Sequence, residues 1–157
     1  MIKRILPRSR ARELVRCLTD LRSTVVAAES CSAGMAADLI ARIPGASKIF
    51  WGSFVSYTPE AKRLMLGVEE ECLKLYGAVS QECACAMVRG ALEKSGADFA
   101  FSITGFAGPG GEAGTVWIAT VRQGGNPDAE LFHFRGSRNQ VRRKAAEKAL
   151  EKLLKLI

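Results

Sequence analysis

The sequence predicts an α/β domain in which helices cover a mixed sheet of about five strands. Three observations carry that expectation. Short apolar runs of strand type alternate along the chain with segments of helical periodicity. No linker, repeat or low-complexity tract interrupts the alternation, so the 157 residues read as one domain with a core of its own. The last two strand-like runs are separated by Gly124-Gly125-Asn126-Pro127, a turn signal too short for a crossover. That pair is therefore expected to be an antiparallel hairpin, and the sheet mixed.

Each element follows in order. Residues 9–22 place Leu14, Leu18 and Leu21 on one face, the spacing of a helix. Residues 24–28, from Thr24 to Ala28, are short, β-branched and apolar, as a buried strand requires. Residues 32–43 set Met35, Leu39 and Ile43 at i, i+4 and i+8, and Pro44-Gly45 stops that helix. Residues 53–57 read as a second strand. Pro59 suits the first turn of a short helix that runs to Leu66 and ends at Gly67. Residues 69–76 predict a further helical turn or two, ending at Gly77. Ser80 is placed to cap a helix through Lys94, with Ala84, Met87, Val88, Ala91 and Leu92 facing inward. Residues 98–103 predict a third strand, followed by a glycine-rich loop from Thr104 to Gly114. Residues 115–121 and 130–135 form the hairpin. A final helix from about Ser137 lines up Val141, Ala145, Ala149 and Leu153.

Composition narrows the class. Hydrophobic content of 48% and charged content of 25% are ordinary for a soluble globular protein. No apolar stretch approaches the ~20 residues a membrane span needs, and Met1 to Arg8 lacks the apolar run of a secretory leader. A soluble cytoplasmic protein is expected. The net charge of +7 is uneven. Residues 1–22 carry seven Lys/Arg against two acids, and residues 136–157 repeat that count. Residues 23–135 hold nine basic and twelve acidic residues. The excess thus sits on two amphipathic terminal helices. Without aromatic interleaving or a binding motif, it reads as solvated helix faces and not as a nucleic-acid surface.

Five cysteines, an odd number without secretory context, are expected as free thiols. Cys83 and Cys85 on one helix would point about 200° apart, unsuited to a shared metal. His133 is the only histidine and falls in an apparent strand, so it reads as an ordinary strand residue. Neither a metal nor an organic cofactor is called for.

Four segments compete for the chemistry. Ser30 follows the first strand, where a hydroxyl can sit beside the amides that open a helix and stabilise an oxyanion or a phosphate; the same position also suits a helix cap. Cys31 is a rival nucleophile whose thiolate a helix start would favour. Lys62 and Tyr57 are close in sequence. A lysine serves as a base only if burial or positive neighbours lower its pKa, and Tyr57 could relay the proton, orient the amine or simply pack in a strand. The loop Thr104-Gly105-Phe106-Ala107-Gly108-Pro109-Gly110-Gly111 lets backbone approach a ligand, though no Gly-Lys-Ser/Thr follows to make it a P-loop. Arg135, Arg138 and Arg142 cluster around the start of the last helix, and either Arg138 or Arg142 could hold a phosphate or be solvated.

Taken together, these segments resemble a known family. Ala28-Glu29-Ser30-Cys31, Gly52-Ser53-Phe54-Val55-Ser56-Tyr57 with Glu60-Ala61-Lys62, Leu66-Gly67-Val68, Gly77-Ala78-Val79-Ser80, the glycine-rich loop, Gly114-Thr115-Val116-Trp117, and the Phe134, Gly136, Arg138, Val141-Arg142 ending are similar to the C-terminal domain of CinA-type competence/damage-inducible proteins. The match runs from about residue 10 to the end, and the chain is expected to be the stand-alone form. The resemblance implies a three-layer α/β/α sandwich and nicotinamide-nucleotide amidase activity. It implies Ser30 as nucleophile, Lys62 as base and Tyr57 as their companion. Cys31, Ser32 and Gly34, then Thr104, Gly105, Gly108, Gly110 and Gly111, then Arg138 and Arg142 would bind a small nucleotide substrate.

Helix-start amides would hold the oxyanion. A homo-oligomer is expected, and no nucleic-acid or membrane partner. The alternative is a non-enzymatic adaptor in competence or DNA damage, binding nucleic acid or a protein. Two departures stand out. The family usually reads Thr-Gly-Gly where this chain has Ser32-Ala33-Gly34, so Ala33 is expected to put a methyl where backbone approaches a ligand. The stretch from Gly111 to Gly114 is also shorter than usual.

Overall fold

A computed structural model describes residues 9–157, and the leader reading of Met1 to Arg8 lies outside them. In chain order the elements are α1 (Arg10–Leu21), β1 (Val25–Glu29), α2 (Met35–Ala41), a 3-10 turn (Ala46–Lys48), β2 (Phe50–Val55), α3 (Pro59–Leu66), α4 (Glu70–Tyr76), α5 (Gln81–Ser95), β3 (Phe99–Gly105), β4 (Thr115–Arg122), β5 (Asp128–His133) and α6 (Arg138–Leu156). The five strands form one sheet in the order β2-β1-β3-β4-β5. β1 runs parallel to both β2 and β3. β4 is antiparallel to β3 and β5 to β4, so the expected hairpin and mixed sheet are both present.

Helices cover both faces. Every residue of β1 is buried, which is why it reads as a continuous apolar run and not an alternating one. Val25 and Ala27 pack with Leu14 and Leu18 of α1, Ile40 of α2 and Leu150 of α6. Val26 and Ala28 pack on the opposite face with Leu66 of α3 and with Ala84, Met87, Val88 and Ala91 of α5. The result is the three-layer α/β/α arrangement. Ser137 starts α6 as expected, accepting from the Gln140 N–H while the Gln140 side chain returns to the Ser137 N–H.

Boundaries near the site shift for reasons of pairing or backbone. β3 runs to Gly105 and not 103, because Thr104 and Gly105 pair with Trp117 and Val116, so both belong to the strand and not to the loop. α2 begins at Met35 and not Ser32, because Ala33 (φ +48°) and Gly34 (φ +90°) form a left-handed turn first. β2 covers Phe50–Val55 and not 53–57, since its register runs from Val25↔Phe50 to Glu29↔Val55 and only the Ser56 N–H finds a further acceptor on β1, the Glu29 carbonyl. Tyr57 therefore leaves the sheet. β5 is Asp128–His133, ending where its partner β4 begins at Thr115. Among the described residues no helix is long and apolar enough to cross a membrane.

Candidate active site

The site forms at the carboxyl end of β1, the edge at which open α/β sheets bind ligands. The ladder runs one step past the strand: the Ser30 N–H donates to the Ile103 carbonyl at 2.9 Å, and the Ser56 N–H to the Glu29 carbonyl at 2.9 Å. These bonds fix Ser30 opposite the loop that leads into α3. Thr58 caps α3, accepting from the Ala61 N–H at 3.0 Å, with Pro59 in the first turn. That start aims Lys62 back beneath the sheet edge. Its side chain is only 1% exposed. Lys62 Nζ lies 2.8 Å from Ser30 Oγ and 3.0 Å from the Ser56 carbonyl oxygen.

Burial pushes the Lys62 pKa down from its ordinary value, and the opposing thiols of Cys83 and Cys31 are themselves pushed up to about 11, so they are uncharged near neutral pH. A neutral amine can donate to the Ser56 carbonyl and accept the proton of the Ser30 hydroxyl. The same result corrects the expectation for Cys31. Burial outweighs the nearby N–H groups, Lys62 and Arg142, and disfavours its thiolate.

The amides that open α2 are also not where they were expected. Glu29, fully buried, accepts five hydrogen bonds: from Ser32 Oγ (2.8 Å), Ser53 Oγ (3.0 Å) and the N–H groups of Gly34 (3.1 Å), Ala36 (3.0 Å) and Ala37 (3.0 Å). The helix start is occupied by the chain's own carboxylate. What remains is the turn itself: the N–H groups of Cys31 and Ser32 have no oxygen acceptor among the described residues and face only the Cys31 sulfur. Glu29 is the residue that motif reading passed over. The available signal was a carboxylate inside an apolar strand, which must be fully hydrogen-bonded to be tolerated.

A cavity of about 320 Å³ opens beside Ser30. Cys31, Tyr57, Lys62, Ala78, Val79, the stretch Thr104 to Pro109 and Arg138 complete its lining. Thr104 Oγ1 donates to the Ala78 carbonyl at 2.6 Å, which draws the α4–α5 connection against the sheet as one wall. Gly105 is required by close strand pairing, because a Cβ there would sit 2.6 Å from the Thr115 carbonyl oxygen. Tyr57 is half exposed, and its hydroxyl accepts from Arg138 Nη2 at 2.8 Å. Arg138 Nη1 donates to the Gly108 carbonyl. One guanidinium thus joins the β2–α3 loop, the glycine-rich loop and the start of α6.

The structure brings Ser30, Cys31, Tyr57, Lys62, Thr104, Gly105, Gly108 and Arg138 to one cavity. Ser32, Gly34, Gly110, Gly111, Arg135 and Arg142 do not line it. Ser32 and Gly34 build the turn. Arg142 donates to the carbonyls of Cys31 (3.1 Å) and Ser32 (2.9 Å). His133 is at the end of β5 and takes no part. A larger groove, about 630 Å³, lies along α1 and α6 and holds none of these residues.

Ala33 is exposed and outside the cavity, so its methyl does not crowd a ligand there. Its cost is backbone strain. A left-handed alanine loses about 1–2 kcal/mol, of which glycine's greater unfolded-state entropy returns about 0.5–1 kcal/mol. Ala33→Gly is expected to raise stability by about 0.5–1 kcal/mol, or about 1–4 °C in a thermal melt. A lower melting temperature would contradict this account.

A mixed α/β sandwich with a serine and a buried lysine paired at the carboxyl edge of its parallel strands is the class that fold and site define. The comparisons name it further: the chain belongs to the CinA C-terminal domain family, whose model matches residues 8–157. It is 40% identical over 149 residues to a CinA-like protein of Thermotoga maritima, an alignment covering 92% of this chain and 36% of that one. It is 45% identical over 132 residues to a CinA-like protein of Akkermansia muciniphila, covering 81% and 32%. The chain spans about a third of the length of these curated relatives. Among solved structures, the competence/damage-inducible protein CihA of Agrobacterium tumefaciens superposes with a TM-score of 0.91 at 39% identity, covering 94% of this chain and 93% of that one. A CinA superfamily protein of Escherichia coli gives 0.89 at 33% identity, covering 97% and 94%.

Proposed function

We propose that this chain is a serine–lysine amidohydrolase that converts nicotinamide mononucleotide and water to nicotinate mononucleotide and ammonia. The observation that carries the reading is Lys62, buried with no carboxylate partner among the described residues, 2.8 Å from Ser30 Oγ. A buried amine with a lowered pKa is what a serine without histidine needs. Family membership supports the substrate, since the resemblance implies this activity.

The steps follow from the placement. Ser30 Oγ attacks the carboxamide carbon while Lys62 takes the hydroxyl proton. The carbonyl oxygen becomes an oxyanion, for which we assign the N–H groups of Cys31 and Ser32, in the turn that follows Ser30, as donors. The tetrahedral intermediate collapses, Lys62 returns the proton to nitrogen, and ammonia leaves an acyl-Ser30 ester. Water, deprotonated by Lys62, cleaves that ester. At the mouth of the cavity Arg138 is the cation available to a phosphate, which would compete with Tyr57 and Gly108 for its guanidinium and free the Tyr57 hydroxyl.

The test is direct: purified protein with nicotinamide mononucleotide should release ammonia and nicotinate mononucleotide in equal amounts. Absence of both products would remove the substrate assignment. The adaptor reading draws on the basic terminal helices. On α6, however, Arg143 pairs with Glu147, Lys148 and Lys155 with Glu151, and Lys152 with Asp128 and Glu130. That interleaving suits a solvated face better than a phosphate track. Salt-dependent nucleic-acid binding, with log affinity falling linearly in log salt, would favour the adaptor.

A further inference from the structure

We propose that Arg142 and Glu29 are positioning residues that hold the Ser30-to-Gly34 turn from opposite sides, keeping the N–H groups of Cys31 and Ser32 free for the oxyanion. The inference rests on the reading of Ser30 as the nucleophile. It moves Arg142 from substrate binding to shaping the site.

Glu29 collects the donors of the turn and of the helix after it: the Ser32 hydroxyl and the N–H groups of Gly34, Ala36 and Ala37. Arg142 collects the acceptors. Its Nε donates to the Cys31 carbonyl at 3.1 Å and its Nη2 to the Ser32 carbonyl at 2.9 Å, while Nη1 is anchored on Asn139 Oδ1 at 3.0 Å. In a planar trans peptide the C=O and N–H point in opposite directions. A guanidinium that holds the Cys31 carbonyl therefore turns the Ser32 N–H away from itself. The Ser30 carbonyl, which accepts the Ala33 N–H at 3.0 Å, turns the Cys31 N–H the same way relative to that bond. Both N–H groups are turned toward the Cys31 sulfur, a weak acceptor that an oxyanion would displace, and Cys31 lines the cavity.

Neither charged residue lines the cavity, and neither has an ion-pair partner among the described residues. A fully buried carboxylate and a guanidinium spent on two carbonyls are costly ways to make a turn. They are efficient ways to fix the direction of each peptide plane. The fork matters, since a lysine ammonium cannot hold two carbonyls in the same geometry.

The experiment uses Arg142→Met, Arg142→Lys and Glu29→Gln, with Arg138→Met as the contrast at the cavity mouth. Two readouts are taken on variants that melt cooperatively: kcat and KM for ammonia release from nicotinamide mononucleotide, and the rate at which a fluorophosphonate labels Ser30. In the labelling step Ser30 Oγ bonds to phosphorus, fluoride leaves and Lys62 takes the proton, so the probe reads the turn without the amide substrate. Arg142→Met and Glu29→Gln should each lower kcat and the labelling rate about 100-fold with KM within about twofold, as misaligned oxyanion donors do. Arg142→Lys should recover about tenfold of that loss. Arg138→Met should raise KM instead. Labelling at the wild-type rate in the Arg142 and Glu29 variants, or a raised KM with unchanged kcat, overturns the inference. Wild type that labels but releases no ammonia overturns the substrate alone, and the labelling series still decides. Wild type that does not label overturns the nucleophile and this inference together.

Discussion

Ser30→Ala is expected to reduce ammonia release by about 10⁴-fold or more while the protein stays folded, because loss of the nucleophile removes the covalent route entirely. Structure gives two reasons to expect a clean result. Ser30 is buried but small, and its backbone N–H, which donates to Ile103, is untouched by the change. Lys62 keeps its bond to the Ser56 carbonyl, so the amine is not stranded. The neighbour cannot take over either. With its pKa pushed up to about 11 by burial, Cys31 is held as the neutral thiol at pH 7. Among the described residues its sulfur also makes no hydrogen bond to Lys62, whose Nζ is bonded to Ser30 Oγ. Circular dichroism and a thermal melt alongside the ammonia assay separate lost chemistry from lost fold. Activity near wild type in Ser30→Ala would remove the serine from the mechanism.

The element order and the Ser30–Lys62 meeting were legible in the sequence for different reasons. Helices and strands announce themselves through periodicity, because their core-facing residues repeat at 3.6 or 2. β2 was legible only in part. It is an edge strand whose first residues include exposed Trp51 and left-handed Gly52, and the register slips beside them at Val25/Val26. Such a segment looks like a turn until its partner is known. The start of α2 was misplaced because apolar spacing cannot register a left-handed pair, here Ala33-Gly34. Arg138 and Arg142 show where local reading ends. One meets Tyr57 across 81 residues, the other meets Ser32 across 110. Sequence marks both as possible phosphate ligands, and only the fold turns one toward the cavity and the other behind the nucleophile. Glu29 lies next to Ser30, yet its five partners come from the turn, α2 and β2, so its role emerges only once those are assembled.

Lys62→Met is expected to lower kcat about 10³-fold or more and, in the same protein, to change how stability depends on pH. Both effects come from burial of one amine. In the folded chain burial lowers the Lys62 pKa below the ordinary 10.5. Between the folded value and 10.5 the unfolded chain therefore binds more protons than the native one. Stability then rises with pH across that window, and the cost of burying the ammonium is greatest below the folded pKa. Methionine has no proton to lose. The melting temperature of wild type minus that of Lys62→Met should accordingly grow as pH is raised from neutral toward about 8.5, below the range in which the neighbouring thiols titrate. Wild-type kcat should rise over the same range, since only the neutral amine accepts the Ser30 proton. A flat difference in melting temperature with a pH-independent kcat would mean that Lys62 holds its charge in the fold. Ser30 would then lack its base, since the side chain hydrogen-bonded to its hydroxyl is Lys62 and Cys31 is held as a thiol. The destabilising burial of Lys62 is thus the same property that makes it basic enough, and free enough of charge, to activate Ser30.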